Sequence, residues 1–195
     1  MEIKPNSIKL KCPACASELV LKNKSYICEN KHLYDVAKHG YINLLLANKK
    51  NTKTPGDNQE MIRSRSAFLN KGYYQSLSDA VNKSISLINE NNQAKKILDI
   101  GCAEGYYVNQ LKQSFCVNSK HLLSGIDISK YAIQVAAKRK MDANLVVANI
   151  YDLPFFDQEF DIVYSIFAPI DIDEINRVLC DNGTLIIVGP GEVEW

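Results

Sequence analysis

From Lys95 onward, apolar runs of strand length alternate with stretches of helical character: ILDIG, then YYVNQLKQSF; LLSGIDIS, then KYAIQVAAKRK; NLVVANI; FDIVYSIFA, then IDEINRVLC; and TLIIVG. Strand and helix alternating at this pitch predict right-handed crossovers and an α/β fold, a Rossmann-like parallel sheet of five strands with helices on both faces. In such a sheet a ligand sits outside the carboxyl ends of the strands, where strand order reverses. The N-terminal part has a different texture. Its short apolar runs (LVL, YI, LY, YINLLL) alternate with Lys, Asn and Gly, a hairpin-like pattern with too few apolar side chains for a core of its own. Residues 47–59, ANKKNTKTPGDNQ, are polar, contain Pro-Gly and read as a linker. Asp57 and Glu60 have capping-box spacing for a helix ending near Gly72, and a second amphipathic helix runs from about Tyr74 to Glu90. The pattern divides the chain into a β module over 1–46, a linker with N-terminal helices over 47–90, and the alternating domain over 91–195.

Length and composition suit this division. A chain of 195 residues with 46% apolar content can bury one full core and carry a small accessory module. No run approaches the roughly 18 apolar residues of a membrane span, and the lysine-bearing N-terminus has no signal-peptide core, which predicts a soluble, cytoplasmic protein. Six cysteines outside a secretory context point to metal ligands or reduced thiols rather than disulfides. Their spacing decides for the first four ligand candidates. CPACASELVLKNKSYICENKH places Cys12, Cys15, Cys28 and His32 as C-x2-C followed by C-x3-H, two ligand pairs bracketing a hairpin that close a tetrahedron around zinc. A redox C-x-x-C is the competing reading, but that motif opens a helix in a βαβ context, which is absent here. Four protein ligands leave no open position for a substrate water, so the site is structural, and the metal supplies folding free energy that the small module lacks. Cys102, Cys116 and Cys180 lie in or beside apolar segments and read as core thiols.

Charge is unevenly divided. Residues 1–53 hold ten Lys against four acids, a net of +6, while the remaining thirteen Lys and Arg meet eighteen acids, a net of −5. The basic end is a candidate anion-facing surface, and a well-solvated lysine-rich surface is the plainer alternative.

The stretch KILDIGCAEGYYVNQL reads as strand, glycine turn and helix start. A dinucleotide brings pyrophosphate onto a helix N-terminus and needs small, uncharged residues there. Here Glu104 would repel a phosphate and Tyr106 would crowd it. An adenosine ligand that is cationic and carries no phosphate fits better, and S-adenosylmethionine has both properties. Asp99, Glu104 and Asp127 make the pocket acidic; Asp127, ending the second strand, is placed for the ribose hydroxyls, and Asn149, after the third, for the adenine. Gly101 and Gly105 form the turn itself.

Beyond these motifs, CPAC, YICENKHLYD, AKHGYINLLL, PGDNQEMIRSRSAFL, GYYQSL, GIDISKYAIQVAAKR, LPF and FAP span nearly the whole chain. Together they resemble the zinc-containing guanine-N1 methyltransferases of 23S ribosomal RNA. The resemblance implies a class I methyltransferase fold, methyl transfer from S-adenosylmethionine to guanine N1 in an RNA hairpin loop, and a zinc module that contributes to RNA recognition. It makes Cys12, Cys15, Cys28 and His32 the zinc ligands and Tyr74, Ala103 and Glu104 cofactor contacts. Three positions depart from the family pattern. Ala103 stands where Gly is common, Ser165 where Arg is found, and PGEVEW, with Glu194, replaces a PGxxH-like ending. The family's sheet continues past the fifth strand with a helix and an antiparallel hairpin, so on this resemblance the chain reads as C-terminally incomplete. A zinc-dependent RNA-binding protein with an inactive methyltransferase domain is the competing function, and a homodimer is one expected assembly. The target base must leave its stack. Asp171, beside FAP, is the candidate acceptor of the N1 proton, and Lys49, Lys50, Lys53, Arg63 and Arg65 are candidate phosphate contacts. Replacing Lys49, Lys50 and Lys53 by Ala should flatten the salt dependence of binding to a ribosomal RNA hairpin, by about 0.7–0.9 in log–log slope for each phosphate no longer neutralised. An unchanged slope would reduce the basic segment to surface composition.

Overall fold

The structure, a computed structural model, describes residues 8–47, 55–88, 93–115 and 120–191. Four short strands open the chain: β1 (Leu10–Lys11), β2 (Glu18–Lys22), β3 (Ser25–Ile27) and β4 (Leu33–Asp35). They form an antiparallel sheet in the order β1-β2-β3-β4. The next strand, β5 (Tyr41–Asn43), does not join them in this sheet.

Two helices follow, α1 (Gln59–Leu69) and α2 (Gln75–Ile88). The α1 cap differs from the expected one. Asn58, not Asp57, caps it, its side chain accepting the Met61 amide at 2.9 Å, because Asp57 is drawn into an ion pair with Arg65. Gly72, at φ 80°, turns the chain between the helices, a backbone region that favours glycine.

The alternating segment then gives β6 (Lys96–Ile100), α3 (Tyr106–Ser114), β7 (Leu122–Asp127), α4 (Lys130–Lys138), β8 (Asn144–Val147), β9 (Phe160–Ile166), α5 (Ile172–Val178) and β10 (Leu179–Val188). The expected five strands are all present, and a sixth joins them. The large sheet runs β10-β9-β6-β7-β8-β5, with every pair parallel. Its sixth strand is β5, which pairs Tyr41 with Leu145 and Asn43 with Val147. Strand order reverses at β6, flanked by β7 on one side and β9 on the other, so the ligand crevice opens at the carboxyl ends of β6 and β9.

Alternation along the strands sends side chains to two cores. Ile97 of β6 joins Val81 and Ile85 of α2, Val108 of α3 and Ile133 of α4 on one face. Leu98 and Ile100 join Ile175 and Val178 of α5 on the other, and there the remaining cover is not helical. Leu10, Cys12, Leu19 and Cys28 of the N-terminal module pack into that same cluster with Phe155 and Phe160. Helices thus lie on both faces as expected, but only α5 reaches the second, which is completed by the small β module, whose few apolar residues suffice because the sheet supplies the rest. Backbone contacts secure the joint, with Lys11 N–H donating to Pro154 O at 2.9 Å and Leu10 bridging Phe155. Glu159, largely buried, accepts the Lys9 amide at 3.1 Å and pairs with Lys96 at 2.7 Å.

Cys102 is buried as expected, whereas Cys180 is partly exposed with its thiol 3.0 Å from Gln158 O; Cys116 lies outside the described residues. No helix among the described residues is long and apolar enough to cross a membrane. Phe155 sits at the joint, fully buried and perpendicular to Phe160 at 4.8 Å between ring centroids. Phe155→Ala should lower unfolding free energy by about 3–5 kcal/mol in urea titration. It should also raise amide exchange in β1, which a module with a separate core would not show.

Candidate active site and metal centre

The turns after β1 and β3 bring four ligand atoms together. Those of Cys12, Cys15, Cys28 and His32 lie within 4.8 Å of one another. Zinc–sulfur bonds of about 2.3 Å in a tetrahedron require sulfurs about 3.8 Å apart. The Cys15 and Cys28 sulfurs stand 3.7 Å apart, and His32 Nδ1 lies 3.6 Å from Cys12 Sγ and 3.3 Å from Cys28 Sγ. The set therefore fits zinc, with Nδ1 as the imidazole ligand. Outer donors face the sulfurs: the Tyr34 hydroxyl lies 3.4 Å from Cys12, Ser17 Oγ 3.0 Å from Cys15, and the His32 amide donates to Cys28 at 3.3 Å. Such partners hold thiolate ligands in place. The Ser17 hydrogen bond pulls the Cys15 thiol down to about 5, while burial pushes Cys12 up. Both are ligands in one cluster, and a cation bound between them favours the thiolate at each.

The second site is a cavity of about 540 Å³ at the carboxyl ends of β6, β7, β8 and β9. Its floor is the turn after β6, where Gly101, Ala103 and Gly105 all take positive φ of 72°, 48° and 75°. Ala103 adopts this conformation against the preference of a residue with a Cβ. A Cβ on Gly101 would lie 2.3 Å from that of Ala168, so glycine is what allows the loop after β9 to close on the turn. The Pro-Gly-Asp segment closes another side: a Cβ on Gly56 would meet Ile128 and Ser129 at 2.9 Å, and Ser129 Oγ donates to Asp57 O at 3.1 Å.

Of the residues singled out in the sequence, Tyr74, Gly101, Ala103, Glu104, Asp127 and Asn149 line this cavity, and Asp99 and Gly105 do not. Asp127 holds the turn, accepting the Ala103 amide on Oδ2 at 3.0 Å and the Ser129 amide on Oδ1 at 2.7 Å. Asn149 Oδ1 accepts the Tyr151 amide at 3.2 Å. Gly105 caps α3, and Asp99 lies beneath the floor, 2% exposed, with one carboxylate oxygen unpartnered. Glu104 is 1% exposed, and neither of its oxygens accepts a hydrogen bond from another residue; Arg139 Nη2 stands 3.8 Å from Oε1. Burial raises the pKa of all three acids, opposed at Asp99 by the Tyr164 hydroxyl, at Asp127 by the Ser129 and Ala103 amides, and at Glu104 in part by Arg139. Buried acids lacking partners call for a cation. S-adenosylmethionine, carrying a sulfonium and an ammonium, meets that demand.

Other candidates fall elsewhere. Asp171 does not line the cavity; its carboxylate caps α5, accepting the Glu174 amide at 2.9 Å, which corrects the expectation of a proton acceptor there. Ser165 is fully buried in β9, its hydroxyl 3.5 Å from Ala168 O, and offers no phosphate contact. Arg65 lines the cavity, paired with Asp57, whereas Arg63 donates to the Tyr131 hydroxyl at 3.2 Å on the surface. Lys49, Lys50, Lys53 and Glu194 lie outside the described residues. Sequence inspection missed Arg139, whose Nε donates to Glu104 O at 2.8 Å, and Gln75, whose Oε1 accepts from the Tyr106 hydroxyl at 3.2 Å. Neither carries a motif. Ile128 and Ile150, also lining the cavity, directly follow Asp127 and Asn149 and were findable by adjacency.

Comparison with known proteins agrees with both sites. The N-terminal domain of RlmA, a zinc ribbon, matches residues 10–53, and a methyltransferase domain matches residues 97–183. The 23S rRNA (guanine(748)-N(1))-methyltransferase of Streptomyces fradiae is 33% identical over 93% of this chain and 63% of its own length. YxjB of Bacillus subtilis, provisionally named for guanine-N1 methylation of 23S rRNA, is 37% identical over 92% of this chain and 64% of its own. The two matched domains follow one another along the chain in the order zinc ribbon, then methyltransferase domain. The chain spans less than two thirds of the length of these curated relatives. The plantazolicin methyltransferase BpumL, solved with S-adenosylhomocysteine, shares the fold at a TM-score of 0.50 and 21% identity, over 64% of this chain and 49% of its own.

Metal analysis should return about one zinc per chain. Chelation should increase exchange in β1 to β4 and, through the shared core, at Phe155; exchange unchanged at Phe155 would separate the ribbon from the sheet. The raised acids set a pH dependence. A carboxyl whose pKa is higher in the folded than in the unfolded chain contributes stability below its ordinary value, and that contribution is lost as pH rises through the folded value. Glu104→Gln should therefore raise the ligand-free melting midpoint at neutral pH while weakening S-adenosylmethionine binding about tenfold, the scale of one hydrogen bond to a charged group. A variant that binds as tightly as wild type would remove Glu104 from the site.

Proposed function

We propose that the protein transfers a methyl group from S-adenosylmethionine to N1 of a guanine in a 23S ribosomal RNA hairpin loop. The observation that carries this reading is the buried acidic cavity beside a zinc ribbon, in a chain aligned over more than nine tenths of its length with relatives named for that reaction. S-adenosylmethionine, when bound, supplies a methyl group on a sulfonium centre. Asp127 is the residue for the ribose hydroxyls, and Asn149 with Ile128 and Ile150 borders the adenine. Asp99 and Glu104 neutralise the cationic end. The glycine turn and the loop after β9 exclude water from the donor side, and positioning of the two reactants supplies most of the acceleration.

Guanine N1 lies on the Watson–Crick edge, so the base is read unpaired, with the basic N-terminal segment and Arg63 holding the RNA backbone. A ribosomal RNA substrate places the protein in the cytoplasm. The test is incubation of 23S rRNA lacking base methylation with the protein and methyl-labelled S-adenosylmethionine, followed by nucleoside mass spectrometry. Label in 1-methylguanosine is expected. Label in another nucleoside, or in small metabolites alone, would overturn the assignment.

A further inference from the structure

A band of aromatic rings lines one rim of the cavity. Phe167 is 50% exposed, Phe68 45% and Tyr73 63%. Ring centroids run from Tyr73 to Phe68 at 4.9 Å, from Phe68 to Tyr74 at 5.7 Å, and from Tyr74 to Phe167 at 6.0 Å. The band thus connects the turn between α1 and α2 with the loop after β9, and Phe68, Tyr74 and Phe167 line the cavity itself. Rings held in water at the mouth of a cavity mark a place where a ligand covers them.

Phe167 is also strained. Its φ of 54° lies in the left-handed region, uncommon for a bulky side chain. Two neighbours impose it. The Phe167 amide donates to Val188 O at 2.8 Å, and the next residue, Ala168, is wedged against Gly101 so closely that no Cβ fits there. Backbone strain maintained by its surroundings, at a side chain turned to a cavity mouth, is a mark of placement for function. Because Ala168 touches the donor turn, Phe167 borders the point where the methyl acceptor enters.

A flat, apolar, π-faced rim beside that point suits a planar heteroaromatic ring. An unpaired purine offers one, and it exchanges stacking in RNA for stacking on protein. We propose that Phe167, backed edge-on by Tyr74, is the platform on which the target base stacks, and that the Phe68–Tyr73 pair continues the surface toward an adjacent nucleotide. This rests on the methyltransferase reading above and names the residue that presents the acceptor.

The test compares wild type with Phe167→Leu, which keeps apolar bulk and loses the π face, and with Phe167→Tyr, which restores the face. Three quantities are read: kcat/KM for 23S rRNA at saturating S-adenosylmethionine, calorimetric affinity for S-adenosylmethionine, and anisotropy-measured affinity for a short single-stranded guanine-rich oligoribonucleotide. Phe167→Leu should lower kcat/KM and oligoribonucleotide affinity by about 5- to 150-fold, the range for removing one base stack. Its affinity for S-adenosylmethionine should stay within about twofold, and Phe167→Tyr should recover most of both losses. Oligoribonucleotide affinity unchanged in Phe167→Leu, or a loss that falls on S-adenosylmethionine instead, would overturn the proposal. Wild type that methylates no RNA, while Phe167→Leu still weakens oligoribonucleotide binding, would sink the methylation reading and leave the platform standing.

Discussion

Uncompensated negative charge at the carboxyl ends of β6 and β7 is the condition around which the rest is arranged. Burial raises the pKa of Asp99, Glu104 and Asp127, and the charges of Asp127 and Glu104 add to the rise at Asp99 as that of Asp127 does at Glu104. A fold chosen for stability alone would place apolar residues there. Retaining carboxylates makes the ligand-free cavity an unfavourable environment and a cation a favourable occupant, so stability given up in the free protein returns on binding. On the proposed methyl transfer, the same arithmetic favours the donor over the spent donor, since loss of the methyl group removes the sulfonium charge. Tyr164, Arg139 and the amides of Ala103 and Ser129 moderate the cost without cancelling it.

The zinc ribbon solves a covering problem as well as forming a site. The face of the sheet presenting Leu98, Ile100 and Val163 receives only the short helix α5 from the alternating segment, and Leu10, Leu19 and Cys28 complete it. Two of the buried residues in that shared cluster, Cys12 and Cys28, are themselves metal ligands. Metal affinity and core packing are therefore coupled, and neither the ribbon nor this face of the sheet is independent of the other.

Legibility followed the length and chemistry of each signal. Five strands were readable because each is an apolar run of strand length and most are bounded by Gly, Asp or Asn, and the metal ligands because C-x2-C and C-x3-H have few other uses. The sixth strand escaped. Tyr41–Asn43 is three residues long and sits among similar short runs, and its parallel partner Leu145–Val147 is invisible to any local pattern. Asp57 and Asn58 are adjacent and both suit a cap; only the Arg65 pair distinguishes them. Asp171 carries a carboxylate near a cavity loop, yet its first claim is the amide of Glu174 at the start of a helix. Such losses arise wherever a polar side chain has two offers and sequence shows one.

The placement of β5 bears on how the chain matures. Tyr41 is made early, but the strand it lies against, ending at Val147, leaves the ribosome only after most of the sheet has been synthesised. Until then the N-terminal segment has no sheet edge to dock on, and the metal cluster is a closure it can make with its own residues. Pairings so distant along the chain slow folding. A nascent chain starved of zinc would carry a loose, lysine-rich arm through most of its synthesis, exposed to proteases and nucleic acids alike, so metal supply would govern the yield of folded protein as much as its stability.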